Sequence, residues 1–271
     1  MVGSPRSQAL GGVRTVLGAE LSTCWISPTS IAELPSPCVS FGGRRGMIGD
    51  TLVQLNTSFP TTLGVVSLGF ARYDTGAITL NTSGGTSMRV HAQEDMMAMA
   101  SGGKVFGEGC TVGASVKMLQ SRVFEEFSTR AVAVDVGMQV RVLSHGKAAL
   151  LLQNAGSHLQ YFEGALSLPA TLCLGFGYAF PNPAGMKGTL VSTVETSFAD
   201  TAHDVVLRGG VEYRWADSFA LRGGVNSATA GNDVGLSCGF AASFGKLRID
   251  YAITLSQIYY QPQSFSLTVT F

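Results

Sequence analysis

No stretch of this chain stays apolar for the roughly 18–20 residues that a membrane-spanning helix requires. Yet hydrophobic residues make up 45% of it, and its mean hydropathy is +0.26. If such a chain enters a bilayer, it must do so as a closed barrel, the other architecture that satisfies every backbone polar group within lipid. Charge is equally scarce, with 18 Lys and Arg against 18 Asp and Glu, or 13% of residues. That is about half the roughly 25% usual for soluble domains and leaves little surface for water. A formal net charge of zero gives no argument for nucleic acid as a partner.

The groups of catalysis and metal binding lack their patterns. His91, His145, His158 and His203 are scattered without metal-ligand spacing and read as loop or strand-end residues. There is no Gly-x-Ser-x-Gly and no phosphate loop, because Gly107, Gly109 and Gly113 open a strand instead of a helix. Nothing indicates an enzyme, a metal or another cofactor. Cys24, Cys38, Cys110, Cys173 and Cys238 form no cluster. Cys110 and Cys238 sit on the apolar faces of their strands as small hydrophobes, while a bridge between Cys24 and Cys38 stays open.

What is present is alternation. In residues 264–271, Phe265, Leu267, Val269 and Phe271 point one way and Ser264, Ser266, Thr268 and Thr270 the other, the period-two signature of a strand with one apolar face. The pattern repeats upstream. Val234, Leu236, Cys238, Phe240, Ala242 and Phe244 oppose Gly235, Ser237, Gly239, Ala241 and Ser243. Gly245-Lys246 turns the chain back into Leu247, Ile249, Tyr251, Ile253 and Leu255, a hairpin with one greasy side. Val132, Val134, Val136, Met138 and Val140 likewise face away from Ala133, Asp135, Gly137 and Gln139. A soluble sandwich turns such greasy faces inward and a membrane barrel turns them outward. The low charge and the Gly, Ala, Ser and Thr of the opposite faces favour the barrel.

Counting strands between turns gives about fourteen, near residues 37–43, 51–59, 62–73, 88–100, 108–121, 128–143, 148–156, 169–180, 188–199, 204–215, 218–228, 233–244, 246–256 and 263–271. An even number suits a bacterial barrel. Short turns at Pro60, residues 144–147, residues 216–218 and Gly245-Lys246 fall on one rim, expected to be periplasmic. Long connections at residues 74–87, 156–168 and 257–262 fall on the other. Tyr178, Phe180, Tyr213, Trp215, Phe219 and Phe244 lie beside the short turns, where an interfacial aromatic girdle belongs.

These residues resemble a family. The order Gly113-Ala114-Ser115-Val116-Lys117-Met118-Leu119-Gln120, Ala133-Val134-Asp135-Val136-Gly137, Leu152-Gln153-Asn154-Ala155-Gly156 and Leu168-Pro169-Ala170-Thr171-Leu172 is similar to the PorV/PorQ branch of FadL-like outer-membrane proteins. The likeness runs from about residue 5 onward and includes a spirochaete-type uncharacterised FadL-like branch. The closing strand with Phe265, Leu267, Val269 and terminal Phe271 also resembles the signal read by the bacterial barrel assembly machinery. The resemblance implies an all-β transmembrane antiparallel barrel over residues 37–271, with residues 1–36 as an N-terminal plug or hatch. Gln8-Ala9-Leu10-Gly11-Gly12-Val13 is similar to the Met-Gly-Gly-Ala opening of the family, and Ala9, Val13, Val16, Leu17 and Leu21 recur at helical spacing, so a short helix is expected there. The hatch motif Asn-Pro-Ala-Gly falls on Ser27-Pro28-Thr29-Ser30, where only the Pro is kept, after Cys24 and Trp25 in apolar slots. Asn182-Pro183-Ala184-Gly185 matches the same letters but reads as a turn. Gly11, Gly12, Trp25 and Pro28 are the expected plug residues.

The resemblance implies passive uptake of a hydrophobic solute such as a long-chain fatty acid, bound among outer loops, passed by the hatch and released through a kink in the wall. Physically, a greasy solute gains nothing from a water-filled pore and needs an apolar pocket. Leu159, Tyr161 and Phe162 in one outer loop and Ile258, Tyr259 and Tyr260 in another are either pocket residues or interfacial aromatics. Lys117, Asp135, Arg141, Glu195, Arg208, Glu212, Arg214, Arg222, Arg248 and Asp250 face the lumen with mixed sign. An ion-selective pore gathers one sign at a constriction, so these charges either pair with one another and the plug or guide a carboxylate. Two other functions stay open: anchoring or shuttling partner proteins in secretion, as PorV does, or a structural surface barrel. The expected partners are outer-membrane lipid, a hydrophobic small molecule and the assembly machinery. Met1-Val2-Gly3-Ser4-Pro5 is not a signal peptide and resembles a mature amino terminus of the family, so the expectation is that the true start lies upstream or that the signal was removed.

Overall fold

The computed structural model describes residues 3–81, 87–124, 127–161, 164–181, 188–199, 205–216, 218–228, 234–255 and 261–271. Its strands run in chain order: β1 (Cys38–Arg45), β2 (Thr51–Thr61), β3 (Gly64–Asp74), β4 (Ala77–Asn81), β5 (Ser87–His91), β6 (Gln93–Phe106), β7 (Cys110–Val123), β8 (Phe127–Arg141), β9 (Gly146–Gly156). They continue with β10 (His158–Tyr161), β11 (Gly164–Ser167), β12 (Thr171–Pro181), β13 (Thr189–Ala199), β14 (Val205–Trp215), β15 (Phe219–Ala228), β16 (Val234–Phe244), β17 (Leu247–Leu255) and β18 (Gln263–Thr270). Fourteen of them form one closed antiparallel barrel, in the order β1-β18-β17-β16-β15-β14-β13-β12-β9-β8-β7-β6-β3-β2, with β2 pairing back onto β1. The other four make two separate hairpins, β4 with β5 and β10 with β11.

The greasy faces point out. Along β8, Val132, Val134, Val136 and Met138 are 39–47% exposed, while Asp135 between them is fully buried. Leu207, Val211 and Trp215 on β14 and Leu236, Phe240 and Phe244 on β16 are exposed in the same way. An apolar exterior around a small polar interior is the inverse of a soluble sandwich, and it excludes that fold. Phe265 and Leu267 stand on the outer face of β18, and Phe271 is exposed just beyond it.

Rims alternate as expected, with Phe180, Trp215, Phe219 and Phe244 exposed beside the short connections. Pro60 is not a turn residue, because β2 continues through Thr61 and the chain turns at Thr62 and Leu63. The connection expected over residues 74–87 is longer and structured. It holds the β4–β5 hairpin, so the next barrel strand begins at Gln93 instead of near residue 88. The connection after Gly156 likewise contains the β10–β11 hairpin. Residues 182–185 and 256–260 lie outside the described residues.

Residues 3–37 run through the interior before β1 begins. Helix α1 (Pro5–Ala9) is capped by the Ser4 hydroxyl, which accepts from the Ser7 N–H at 3.1 Å. The helix expected across residues 9–21 does not form. Gly11 and Gly12 adopt φ of +72° and +83°, which ends helical winding. Beyond them only two single 3₁₀ turns occur, Leu21–Thr23 and Pro28–Ile31. Ala9, Val13, Leu17 and Leu21 are nonetheless buried. They were spaced for burial in a confined interior, which helical periodicity mimics.

Replacing Val134 with Arg at mid-height on the outer face of β8 should destabilise the barrel by about 2–4 kcal/mol in a bilayer. Urea unfolding in lipid vesicles, followed by the heat-modifiable gel band, measures this; an unchanged midpoint would contradict a lipid-facing wall.

Candidate functional site

The lumen is filled from within, and charge holds the filling. Arg6 of α1 reaches Glu212 on β14 at 2.7 Å and Glu20 at 3.4 Å. Glu212 also accepts from Arg222 on β15 at 2.7 Å and lies 3.2 Å from the Arg214 guanidinium. Arg222 bonds Asp250 on β17 at 2.7 Å, and Arg248 bonds the same carboxylate at 2.9 Å. Glu20 lies 3.7 Å from Arg248 and 3.9 Å from Arg222, and accepts from the Ser22 hydroxyl. Burial alone would raise the Glu20 carboxyl, but Arg248, Arg6 and Arg222 outweigh it and hold its pKa below the ordinary value. A second anchor is Glu195 on β13. It accepts the backbone N–H groups of Arg14 and Thr15 at 2.7 Å each and the Thr15 hydroxyl at 2.9 Å, with Arg208 at 3.4 Å.

The remaining wall contributes neutral contacts. The Trp25 indole donates to Asn56 on β2 at 2.5 Å. Gln139 on β8 donates to the Thr29 hydroxyl at 2.7 Å, and Gln153 on β9 to the Ile26 carbonyl at 2.7 Å. Glycines let the backbones meet: a Cβ on Gly113 would overlap Pro28, and one on Gly224 would overlap Leu10 and Gly11. The interior segment therefore touches strands on every side of the bore.

Lys117 pairs with Asp135 at 2.5 Å, and the other Asp135 oxygen accepts the Asn154 N–H at 2.8 Å. Asn154 has φ of +56° and marks a bulge, where the β8–β9 register slips between Val134 and Val136. Arg141 stands exposed at the short-turn rim, in a polar recess of about 340 Å³ with Glu33, Glu108 and Lys147, where Lys147 and Glu33 pair at 2.9 Å. Gly12 lies against Arg208, Gly11 against Val225, and Pro28 against Gly103 and Gly113. Cys24 and Cys38 are separate free thiols, both buried. Leu159 is buried in the β10–β11 hairpin and lines neither chamber described next. Phe162, Ile258, Tyr259, Tyr260 and the side chain of Tyr161 lie outside the described residues.

Two chambers occupy the half of the lumen toward the long connections. One, of about 360 Å³, is lined by Trp25, Ile26, Leu52, Tyr73, Met97, Leu119 and Leu168 together with the polar Arg14, Gln93, Asp95, Lys117, Gln153 and the bulge residue Asn154. The other is of about 350 Å³. Arg14, Arg44 and Arg208 line it together with Ser7, Gln8, Asn226 and Thr254, and no carboxylate is among its lining residues. Arg14 and Ile26 belong to both, so the chambers adjoin. Sequence reasoning passed over Leu52, Tyr73, Met97 and Leu119. The signal was there, since each is an apolar residue in the inward, otherwise small or polar slot of its strand. Arg14 and Arg44 carried no such mark.

This architecture, a closed fourteen-stranded barrel with an apolar exterior and a filled bore, is of the bacterial outer-membrane type. It is similar to the toluene transporter TbuX of Ralstonia pickettii, with a TM-score of 0.71 and 13% identity over 100% of this chain and 99% of that one. The monoaromatic hydrocarbon channel CymD gives a TM-score of 0.70 and 13% identity over 100% and 98%. A Pseudomonas aeruginosa FadL homologue gives 0.67 and 10% over 99% and 98%. At such identities the likeness is one of fold, that of FadL-like hydrophobic-solute channels. No protein-family model matches the chain, and no curated protein matches it.

Burial pushes the Cys24 thiol up to about 12, so it stays protonated and shielded throughout pH 7–9. With the other four cysteines replaced, Cys24 should resist maleimide in the folded barrel. Glu212→Gln breaks a buried pair worth about 3–5 kcal/mol and should raise the labelling rate at least tenfold while the band remains heat-modifiable. Unchanged labelling would show that the pair does not hold the segment.

Proposed function

We propose that the protein sits in a bacterial outer membrane and takes up hydrophobic solutes passively, preferring those with an anionic head group such as long-chain fatty acids. The observation that carries this is the pair of adjoining chambers, one with Trp25, Leu52, Met97 and Leu119 in its lining and one with three arginines, of which Arg208 is paired with Glu195 at 3.4 Å and Arg44 lies 3.9 Å from Asp50. A solute arriving from the long-connection rim sets its carboxylate among Arg14, Arg44 and Arg208, where charge-assisted hydrogen bonds replace lost water. Its chain lies against Trp25, Met97 and Leu119, removing apolar surface from water. Residues 3–37 act as the hatch, blocking a straight path through the bore. The way out is sideways, at the β8–β9 bulge, where the ladder between strands is interrupted beside Gln153 and Asn154.

The like-folded TbuX and CymD are named for toluene and monoaromatic hydrocarbons, which are neutral; the arginines distinguish the solute proposed here. On its sequence motifs we place the chain nearest the PorV/PorQ branch. No structural feature favours the partner-anchoring role of that branch over uptake.

In a Trp215→Phe background, Trp25 reports the chamber it lines. A long-chain carboxylate should change its fluorescence with saturation, and Arg44→Gln should weaken that binding about tenfold, the loss of one charge-assisted hydrogen bond. A neutral hydrocarbon of equal length should bind less tightly than the carboxylate and be unaffected by Arg44→Gln. If carboxylate and hydrocarbon bind alike and Arg44→Gln changes neither, the head-group reading is lost.

A further inference from the structure

The outer wall carries a further cavity, backed onto the luminal chamber through Met97 and Leu119, which line both. It measures about 370 Å³ and lies across β3, β6, β7 and β8 near their long-connection ends. Register explains it. Phe70, Ala98, Met118 and Val132 are successive cross-strand neighbours on the outward face, and in the next row toward the rim so are Arg72, Met96, Gln120 and Arg130. Ala98 is the small member between Phe70 and Met118, so the wall is notched there, and Met96 and Met118 give the notch soft, adaptable sides.

One end of the notch is cationic. Arg130 and Gln120 line it there, and no acidic residue is among its lining residues. One row further out, Glu94 is held by Arg72 at 2.8 Å. Arg130 is three residues from the outer end of β8, about 10 Å along the strand. On the outward face it is the first residue beyond the apolar row Val132, Val134, Val136 and Met138, a position from which a long cationic side chain reaches the polar edge of a hydrocarbon layer.

From this we propose that the notch is a specific site for a phosphate-bearing lipid of the surrounding bilayer, one acyl chain lying over Ala98 and the phosphate on the Arg130 guanidinium. Guanidinium matches phosphate geometry bidentately, and an acyl chain meets Phe70, Met96, Met118 and Val132 as it would meet other chains. The site is on the outer face of the barrel, with Met97 and Leu119 between it and the luminal chamber.

Native mass spectrometry of detergent-refolded protein with added phosphatidylglycerol tests it. One lipid should be retained, equally in Arg44→Gln, which separates the site from the lumen. Arg130→Gln should lower the retained fraction at least fivefold, Ala98→Phe should abolish it, and diacylglycerol should not be retained. Retention by both variants at the wild-type level, or equal retention of diacylglycerol, overturns the proposal. If Ala98→Phe fails to fold, brominated phosphatidylglycerol decides. It should quench Met118→Trp at least twofold more than Val211→Trp on another part of the wall, and equal quenching overturns the site.

Discussion

Lipid offers no partner to a peptide N–H or C=O, and that single constraint organises this molecule. Each wall strand is bonded on both sides, and the pairing of β1 with both β2 and β18 leaves no edge. Closure fixes two environments for alternate residues, lipid outside and a narrow bore inside. The bore then sets its own problem, because carboxylates such as Glu195, Glu212 and Asp250 are cut off from water there. The solution is an interior segment that brings its own cation and anion, Arg6 and Glu20, and its own backbone N–H groups to meet them.

The wall was legible because period two survives wherever one face meets lipid. Val132 to Met138 and Val234 to Phe244 could be assigned to a face residue by residue, and the fourteen strands fell close to their places. Legibility failed where neither face meets lipid. The strands of the β4–β5 and β10–β11 hairpins are only four or five residues long, too short for alternation such as that of Ile78 and Leu80 to stand out. Inside the bore, residues 9–21 bury the same positions that a helix would, yet Gly11 and Gly12 take the chain elsewhere. The luminal charges could be named from strand parity. Their partners could not, since Arg6 and Glu212 are 206 residues apart and only closure brings them together.

The interior is divided by function as well as by charge. Near the short turns, polar side chains and glycines fit the inner segment closely to the wall. Toward the long connections the inward slots change character to Leu52, Tyr73, Met97 and Leu119, and space opens. A wall made wholly of Ser, Thr and Gly would have no use for those four residues. Leu52, Tyr73 and Met97 pack against the buried cluster of Leu21, Trp25 and Ile31 and, with Leu119, also line the chamber beside the bulge at Asn154.

The Phe271 N–H donates to the Pro37 carbonyl at 3.0 Å, joining the end of β18 to the residue that leads out of the bore into β1. The seam of the barrel is thus also the doorway of its filling. Glycines such as Gly113 and Gly224 bring the wall backbone within contact of the filling at Pro28 and at Leu10 and Gly11. The residue that leads the filling into β1 is thus tied to the strand that closes the barrel, so the filling and the seam share one backbone contact.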